Sequence, residues 1–352
     1  MRILVFSSYF LPHKGGVENY VYQTARRLVK HGHKVWVVTS KLKGMKAREK
    51  IDGIDVVRVP AFDVLPDRLP LPFITSITKK IGVVDIVITN TRFYPLSLFG
   101  GLYARKHGIP WLHVEHGSKQ VAYANLVVNA TAKLVDATAG RWILRNAVVA
   151  GVSKASCSFA ERLGAKSCLV LYNGVDTKFF DGRLKKHKGF RIAFVGRLIK
   201  EKGVQDLLKA VKDLDVEVVV VGKGPFEQEL KKLGGKFVGE KDSAGVRDVL
   251  SACDILVNPS YGEGLPTSVL EAGAMGLPVV ATDVGGTSEI IEDGRNGFLV
   301  HPGNVSELRK SIKKLLNADL CKKMGKNLQK TVKQKFDWDE ITEKIEQTLE
   351  SL

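Results

Sequence analysis

With 352 residues, 44% of them hydrophobic and 26% charged, the chain is long and apolar enough for two domains, each with a core. No uncharged apolar run reaches the roughly 18 residues that a membrane span needs, which excludes a transmembrane reading. The net charge of +17 is uneven: residues 1–180 hold 26 Lys and Arg against 11 Asp and Glu, and residues 181–352 hold 28 against 26. A basic first half implies nucleic acid, an anionic membrane leaflet or a phosphorylated lipid for that half, or else a cationic surface kept for solubility.

In chain order, Arg2-Ile3-Leu4-Val5-Phe6 reads as a short buried strand rather than a cleavable signal. A loop carrying Gly15 and Gly16 follows and enters a helix. Glycines there let backbone N–H groups approach a substrate, although many strand-to-helix turns need glycine for sterics alone. Lys34–Thr39 and Asp85–Thr89 are unbroken β-branched runs, the pattern of parallel strands covered on both faces. Between them, Pro60–Ile74 carries four prolines among large apolar residues, including Leu69, Leu71 and Phe73. That composition predicts neither helix nor strand, but a lid or a loop dipping into a membrane interface.

Trp111–Gly117 is another apolar strand, ending in Glu115-His116-Gly117. A histidine at a strand's carboxyl end faces a ligand cleft or is a hydrogen-bonded structural residue; His113 and Glu115 have no comparable claim. Residues 119–146 suit a helix bearing Tyr123, Leu126, Val127, Trp142 and Ile143, with the single acid Asp136 against Lys119, Lys133, Arg141 and Arg145. Such a segment is a packed insertion or a membrane-facing surface, and its place in the basic half favours the membrane. Cys157, Cys168, Cys253 and Cys321 lack metal-ligand spacing and read as thiols of a reducing cytoplasm.

A polar, glycine-flanked stretch at Asp181–Gly189 marks the domain boundary. The second half restarts as the first did, with the strand Arg191–Val195 followed by Gly196-Arg197 and Lys202-Gly203. Two cations flanking a loop after a strand can hold a diphosphate, whereas isolated surface cations are usually solvated. Further strands begin at Val216, Ile255 and Pro278. After Ile255 comes Glu263-Gly264-Leu265-Pro266-Thr267, with Glu271 further on. Pro266 suits the first helical position, leaving the N–H groups of Gly264, Leu265 and Thr267 for an anion. Glu263 then stands outside the helix mouth and Glu271 about two turns inside. A phosphate flanked by hydroxyl-rich groups fits between them, which is the shape of a nucleotide sugar. Asp213 with Asp215, and Asp337 with Asp339, resemble metal-binding pairs but sit where caps belong, so no metal site is indicated. The closing Phe336–Leu349 stretch is an amphipathic helix capped by Asp337 or Asp339.

Taken in order, Gly15-Gly16-Val17-Glu18, Glu115-His116-Gly117, Val195–Gly203, the Glu263…Glu271 block, Asp283–Glu289 and Asn296-Gly297-Phe298 resemble the retaining nucleotide-sugar glycosyltransferases of family 4 over essentially the whole chain. The resemblance implies the α/β GT-B fold, two doubly wound Rossmann-like domains facing across a cleft. Residues 1–180 would form the acceptor-side domain and residues 181–336 the nucleotide-sugar domain, with a helix over 337–352 crossing back. It also implies roles. Arg197 and Lys202 would neutralise the leaving diphosphate, Glu263 would bind sugar hydroxyls and Glu271 the ribose. Gly196, Gly264, Leu265 and Thr267 would surround the phosphates, while His116, Gly15 and Gly16 reach the donor from the first domain. No cofactor or metal is expected; the partners are a nucleotide-sugar donor, a lipid-linked or glycan acceptor and an anionic membrane surface.

Three other readings compete. A Rossmann oxidoreductase lacks support because neither first turn has the Gly-x-Gly-x-x-Gly pattern. A GT-B epimerase or phosphorylase shares the fold. A nucleic-acid-binding protein would explain the basic half, but only 8% of residues are aromatic and none cluster with cations for base stacking.

Overall fold

The computed structural model describes residues 1–13, 15–63, 70–72, 81–120, 126–181, 184–185 and 187–352. They divide into two compact units, Met1–Tyr172 with Ile341–Leu352, and Asn173–Glu340.

The first unit is built on β1 (Arg2–Phe6), β2 (Lys34–Lys41), β3 (Arg48–Ile51), β4 (Ile54–Asp63), β5 (Pro70–Pro72), β6 (Ile86–Asn90), β7 (Trp111–Glu115), β8 (Val148–Gly151) and β9 (Leu169–Val170). Among the described residues these form one sheet ordered β3-β4-β2-β1-β6-β7-β8-β9, with β5 on β4. Every residue of β6 and β7 is buried. Successive strand residues point to opposite faces, so unbroken burial means that both faces are covered. All pairings are parallel except those of β3 and β5 with β4. Leu4, Phe6, Trp36, Val38, Val87, Leu96, Trp111 and Ile143 make the core on one face.

The second unit has β10 (Phe190–Val195), β11 (Val216–Val221), β12 (Lys236–Phe237), β13 (Ile255–Asn258), β14 (Val279–Thr282) and β15 (Gly297–Val300). Their order is β12-β11-β10-β13-β14-β15, parallel throughout. Chain order reverses between β1 and β6 in the first sheet, and between β10 and β13 in the second. In open sheets of this kind ligands bind outside the carboxyl ends of the strands at that reversal.

The structure corrects several expectations. Pro60–Asp63 is not irregular but continues β4, and β5 returns antiparallel on it, with Ala61 opposite Pro72 and Asp63 opposite Pro70. Proline has no N–H to give a ladder, so β5, paired to β4 alone, is a position where two prolines are tolerated. Leu69 and Phe73, and the side chain of Leu71, lie outside the described residues. The four cysteines are not all thiols. Cys157 and Cys168 form a disulfide with Cα atoms 5.2 Å apart, tying the Lys154–Leu163 helix to the approach to β9. Cys253 and Cys321 remain free, and burial pushes their thiols up to about 12 and about 11.

The helix Trp338–Glu350 buries Trp338, Ile341, Ile345 and Leu349, a spacing of three to four residues that makes one apolar stripe. Asp337 caps it, its Oδ1 accepting from the Asp339 N–H at 2.8 Å. From Ile341 onward the helix belongs to the first unit, where both oxygens of Glu346 are held at 2.8 Å by His31 and His33.

Candidate active site

In the second unit every sequence-predicted residue falls after β10 or β13, the two strands at the order reversal. Gly196 and Arg197 leave β10 directly, and the Gly196 N–H donates to the Val221 carbonyl at 3.0 Å. Arg197 is exposed and has no ion pair among the described residues. Lys202 ends a short 3-10 turn, Lys200–Lys202, closed by Gly203 in the left-handed conformation at φ 70°. A Cβ on Gly203 would lie 1.9 Å from the Pro259 carbonyl oxygen, so only glycine lets the turn rest on the loop after β13. The Tyr261 N–H donating to the Glu201 carbonyl at 2.8 Å ties the same two segments together.

That docking brings Lys202 Nζ to 2.6 Å from Glu263 Oε1, with both side chains largely shielded from solvent. Two residues 61 apart in the chain therefore form one ion pair. Beyond Glu263, the Gly264 carbonyl accepts from the Gly286 N–H at 2.9 Å, so the turn after β14 braces the loop. Pro266 is the residue before the helix rather than its first, and the helix runs Thr267–Ala274. The Gly264, Leu265, Thr267 and Ser268 N–H groups have no hydrogen-bond acceptor among the described residues. Amides of this kind at a helix start suit a phosphate.

Glu271 lies about one helical turn inside the start, not two, four residues after Thr267. Its side chain is half-buried and has no hydrogen-bond or ionic partner among the described residues. Burial alone pushes its carboxyl up to about 8. A protonated carboxyl both donates and accepts, so it can pair with a hydroxyl group.

In the first unit, Gly15 precedes the helix Gly16–Lys30 that follows β1. The Glu18 carboxylate, three residues on, folds back so closely that a Cβ on Gly15 would meet Glu18 Oε2 at 2.2 Å. Gly15 therefore makes room for a side chain of its own helix. Gly16 faces open space. His116 follows β7, with Nε2 3.1 Å from Asn90 Oδ1 and its ring edge-on to Tyr20 at 4.9 Å. Burial lowers its imidazole to about 4, so the ring is neutral near pH 7.

Sequence reasoning passed over the charges behind His116. Glu115 is fully buried, its Oε1 3.0 Å from the Arg92 guanidinium and accepting from the Gly117 N–H at 2.8 Å. Arg92 also grips Asp136, with Nε at 2.8 Å from Oδ1, and lies 4.6 Å over the Phe159 ring. Burial works to raise the Glu115 carboxyl; Arg92, His113 and the Gly117 N–H outweigh it and hold Glu115 well below the usual carboxylate range. Asp136 opens a π-helical turn, Asp136–Gly140, between the helices Leu126–Val135 and Arg141–Asn146. Trp142 packs on Trp111 at 5.8 Å and Ile143 is buried, so those two residues serve the core and not a membrane. Tyr123 lies outside the described residues.

Two family models match adjoining, slightly overlapping stretches: "Glycosyltransferase Family 4" over residues 14–179 and "Glycosyl transferases group 1" over residues 175–335. An uncharacterized glycosyltransferase of Methanocaldococcus jannaschii is 31% identical over 100% of this chain and 99% of its own. The chain belongs to glycosyltransferase family 4. It is an enzyme that transfers sugar. A human phosphatidylinositol N-acetylglucosaminyltransferase subunit is 25% identical over 98% of this chain and 75% of its own. A GDP-mannose-dependent alpha-mannosyltransferase of Corynebacterium glutamicum is 27% identical over 85% of this chain and 76% of its own. Among solved structures, sucrose-phosphate synthase from Thermosynechococcus elongatus superposes with a TM-score of 0.83 at 23% identity, covering 99% of this chain and 98% of that one. The fold is GT-B.

Proposed function

We propose that this family 4 enzyme moves a hexose from a nucleoside diphosphate sugar to a lipid-linked acceptor, retaining the anomeric configuration and using no metal. The observation that carries the reading is the Lys202–Glu263 pair at 2.6 Å beside four N–H groups that have no acceptor among the described residues, at one helix start. Cation, carboxylate and amides match in turn a diphosphate, sugar hydroxyls and phosphate oxygens. On this reading Arg197 and Lys202 offset charge growing on the leaving diphosphate, and Glu263 holds the sugar. Glu271 accepts from ribose hydroxyls, and Gly264, Leu265 and Thr267 line the phosphates. Within the first unit, His116 and Gly16 are read as substrate-binding residues. The acceptor hydroxyl attacks on the leaving-group side; its oxygen bonds to the anomeric carbon, the carbon–phosphate oxygen bond breaks, and the diphosphate oxygen takes the proton.

Among the described residues no cluster of three or more His, Cys, Asp or Glu side chains could hold a metal. Arg197 and Lys202 are read as the cations that take the diphosphate. The M. jannaschii and human relatives carry no donor in common with the C. glutamicum one by name, so the base and sugar follow from experiment: uridine, guanosine and adenosine diphosphate hexoses are screened for binding and hydrolysis. One donor class should turn over in the presence of EDTA. No binding of any of them would sink the reading, and turnover lost in EDTA but restored by magnesium or manganese would sink its metal-free part.

The lipid-linked acceptor rests on the basic first half, supported by the phosphatidylinositol named for the human relative. No helix among the described residues is long and apolar enough to cross a membrane. On this reading the enzyme works peripherally, on the surface of that membrane.

A further inference from the structure

Strand β6 ends in Thr89-Asn90 and turns through Thr91-Arg92, four polar residues after a buried apolar run. Each of three reaches a polar side chain of β7 or its exit. Thr89 Oγ1 is 2.8 Å from both His113 Nδ1 and Trp111 Nε1. Asn90 meets His116, and Arg92 meets Glu115. Thr91 adopts φ 63°, a left-handed conformation that is strained for a β-branched residue. The strained turn lets Asn90 and Arg92, two residues apart, engage the carboxyl end of β7 and its exit, at His116 and Glu115.

Asn90 does more than touch the ring. Its Nδ2 donates to the Phe6 carbonyl at 3.4 Å, so Oδ1 is the atom that faces His116. An amide oxygen only accepts, so His116 must donate from Nε2, which leaves Nδ1 with its lone pair. Tyr20 bounds the ring on another side at an interplanar angle of 82°. Behind it, the Arg92–Glu115 pair holds the Gly117 N–H and thereby the backbone that carries His116.

We propose that Asn90 and Arg92 are positioning residues for His116: Asn90 fixes its tautomer, so that Nδ1 is presented as a hydrogen-bond acceptor for a substrate hydroxyl, and Arg92 fixes its loop through Glu115. The proposal rests on the reading of His116 as an active-site residue. It goes beyond that reading in naming what sets the ring's state.

Nitrogen-15 spectra of the full-length protein with labelled histidine test it without substrate. Wild type should show His116 with the proton on Nε2. Asn90→Leu, which removes both amide bonds at similar volume, should give mixed tautomers and lower kcat about tenfold or more, with a donor KM change under about threefold. Asn90→Asp keeps an acceptor in place and adds charge, so His116 should titrate at least about one pH unit higher, and the acid limb of kcat should move with it. Arg92→Lys should lower kcat while leaving the tautomer alone, because lysine cannot span Glu115 and Asp136 with a planar fork. A wild-type ring protonated on Nδ1, or an unchanged tautomer and kcat in Asn90→Leu, would overturn the proposal. If Asn90→Leu fails to fold by near-ultraviolet circular dichroism, an unmoved His116 titration in Asn90→Asp overturns it instead. Full turnover in His116→Ala would separately remove the active-site reading, while the tautomer result would still stand or fall on Asn90.

Discussion

At the scale of single residues, burial holds two of the candidate groups, Glu271 and His116, in states that water would not favour. Glu271 shows this most directly. Its folded carboxyl is raised from 4.5 to about 8, so the folded chain keeps a proton that the unfolded chain releases. Stability therefore falls as pH rises from the unfolded value through about 8, and levels off above it. Glu271→Gln resembles the protonated form at every pH. Melting temperatures measured from about pH 5 to about pH 8.5 should decline less in Glu271→Gln than in wild type, and parallel curves would contradict the assignment. Lys202 and Glu263 make the complementary case, since each is the other's partner. Lys202→Ala and Glu263→Gln should each lower kcat by roughly a hundredfold or more, the effect of losing about 2.7–4 kcal/mol of charge stabilisation. Steady-state rates with the donor found in the screen decide this, and near-wild-type turnover in either variant would remove the pair from the site.

At the scale of elements, the turn Lys200–Lys202 with Gly203 is the part that positions Lys202. Gly203→Ala combines an unfavourable φ with a Cβ 1.9 Å from a backbone oxygen that cannot swing away. It should cost of order 1–3 kcal/mol of stability and lower turnover by shifting Lys202 from Glu263. Chemical denaturation with parallel kinetics tests both, and a variant with full turnover and full stability would show that the turn has room. The glycine itself was legible in the sequence beside Lys202, because a strand, a Gly-Arg and a Lys-Gly in succession form a local pattern. Its reason was not, since the opposing carbonyl of Pro259 comes from 56 residues further along. The same divide runs through the first unit. His116 stood out at the end of an apolar strand, while Asn90, Arg92 and Asp136 are scattered polar residues whose meeting depends on β6 lying beside β7. Asp136 even looked like a stray acid on a basic helix, and it is a buried partner of Arg92. The extension of β4 through Pro60 was hidden for a different reason: proline argues against a strand locally, and only the strand's place in the sheet excuses it.

At the scale of the whole molecule, the uneven charge is the feature least tied to the fold. A Rossmann-like sheet needs no large excess of cations, and residues 181–352 carry almost none, with 28 Lys and Arg against 26 Asp and Glu. Residues 1–180 carry 26 Lys and Arg against 11 Asp and Glu. Near an anionic leaflet, basic residues contribute about 1 kcal/mol each, and that attraction decays within a Debye length of about 8–10 Å at moderate salt. Exposed apolar side chains are also present on this unit: Leu134 is 64% exposed beside exposed Lys133, and Phe62 is 49% exposed near the end of β4. A surface with both elements should bind anionic vesicles more tightly than neutral ones. Added salt should weaken the binding without abolishing it, because the apolar contribution is not screened. Replacing Leu134 and Phe62 together by Ser should then leave a residue of binding that salt removes completely. Co-sedimentation with vesicles of phosphatidylcholine alone and with added phosphatidylserine measures all three. Equal pelleting with both compositions, or none with either, would mean that the charge serves solubility and that the acceptor reaches the enzyme from solution.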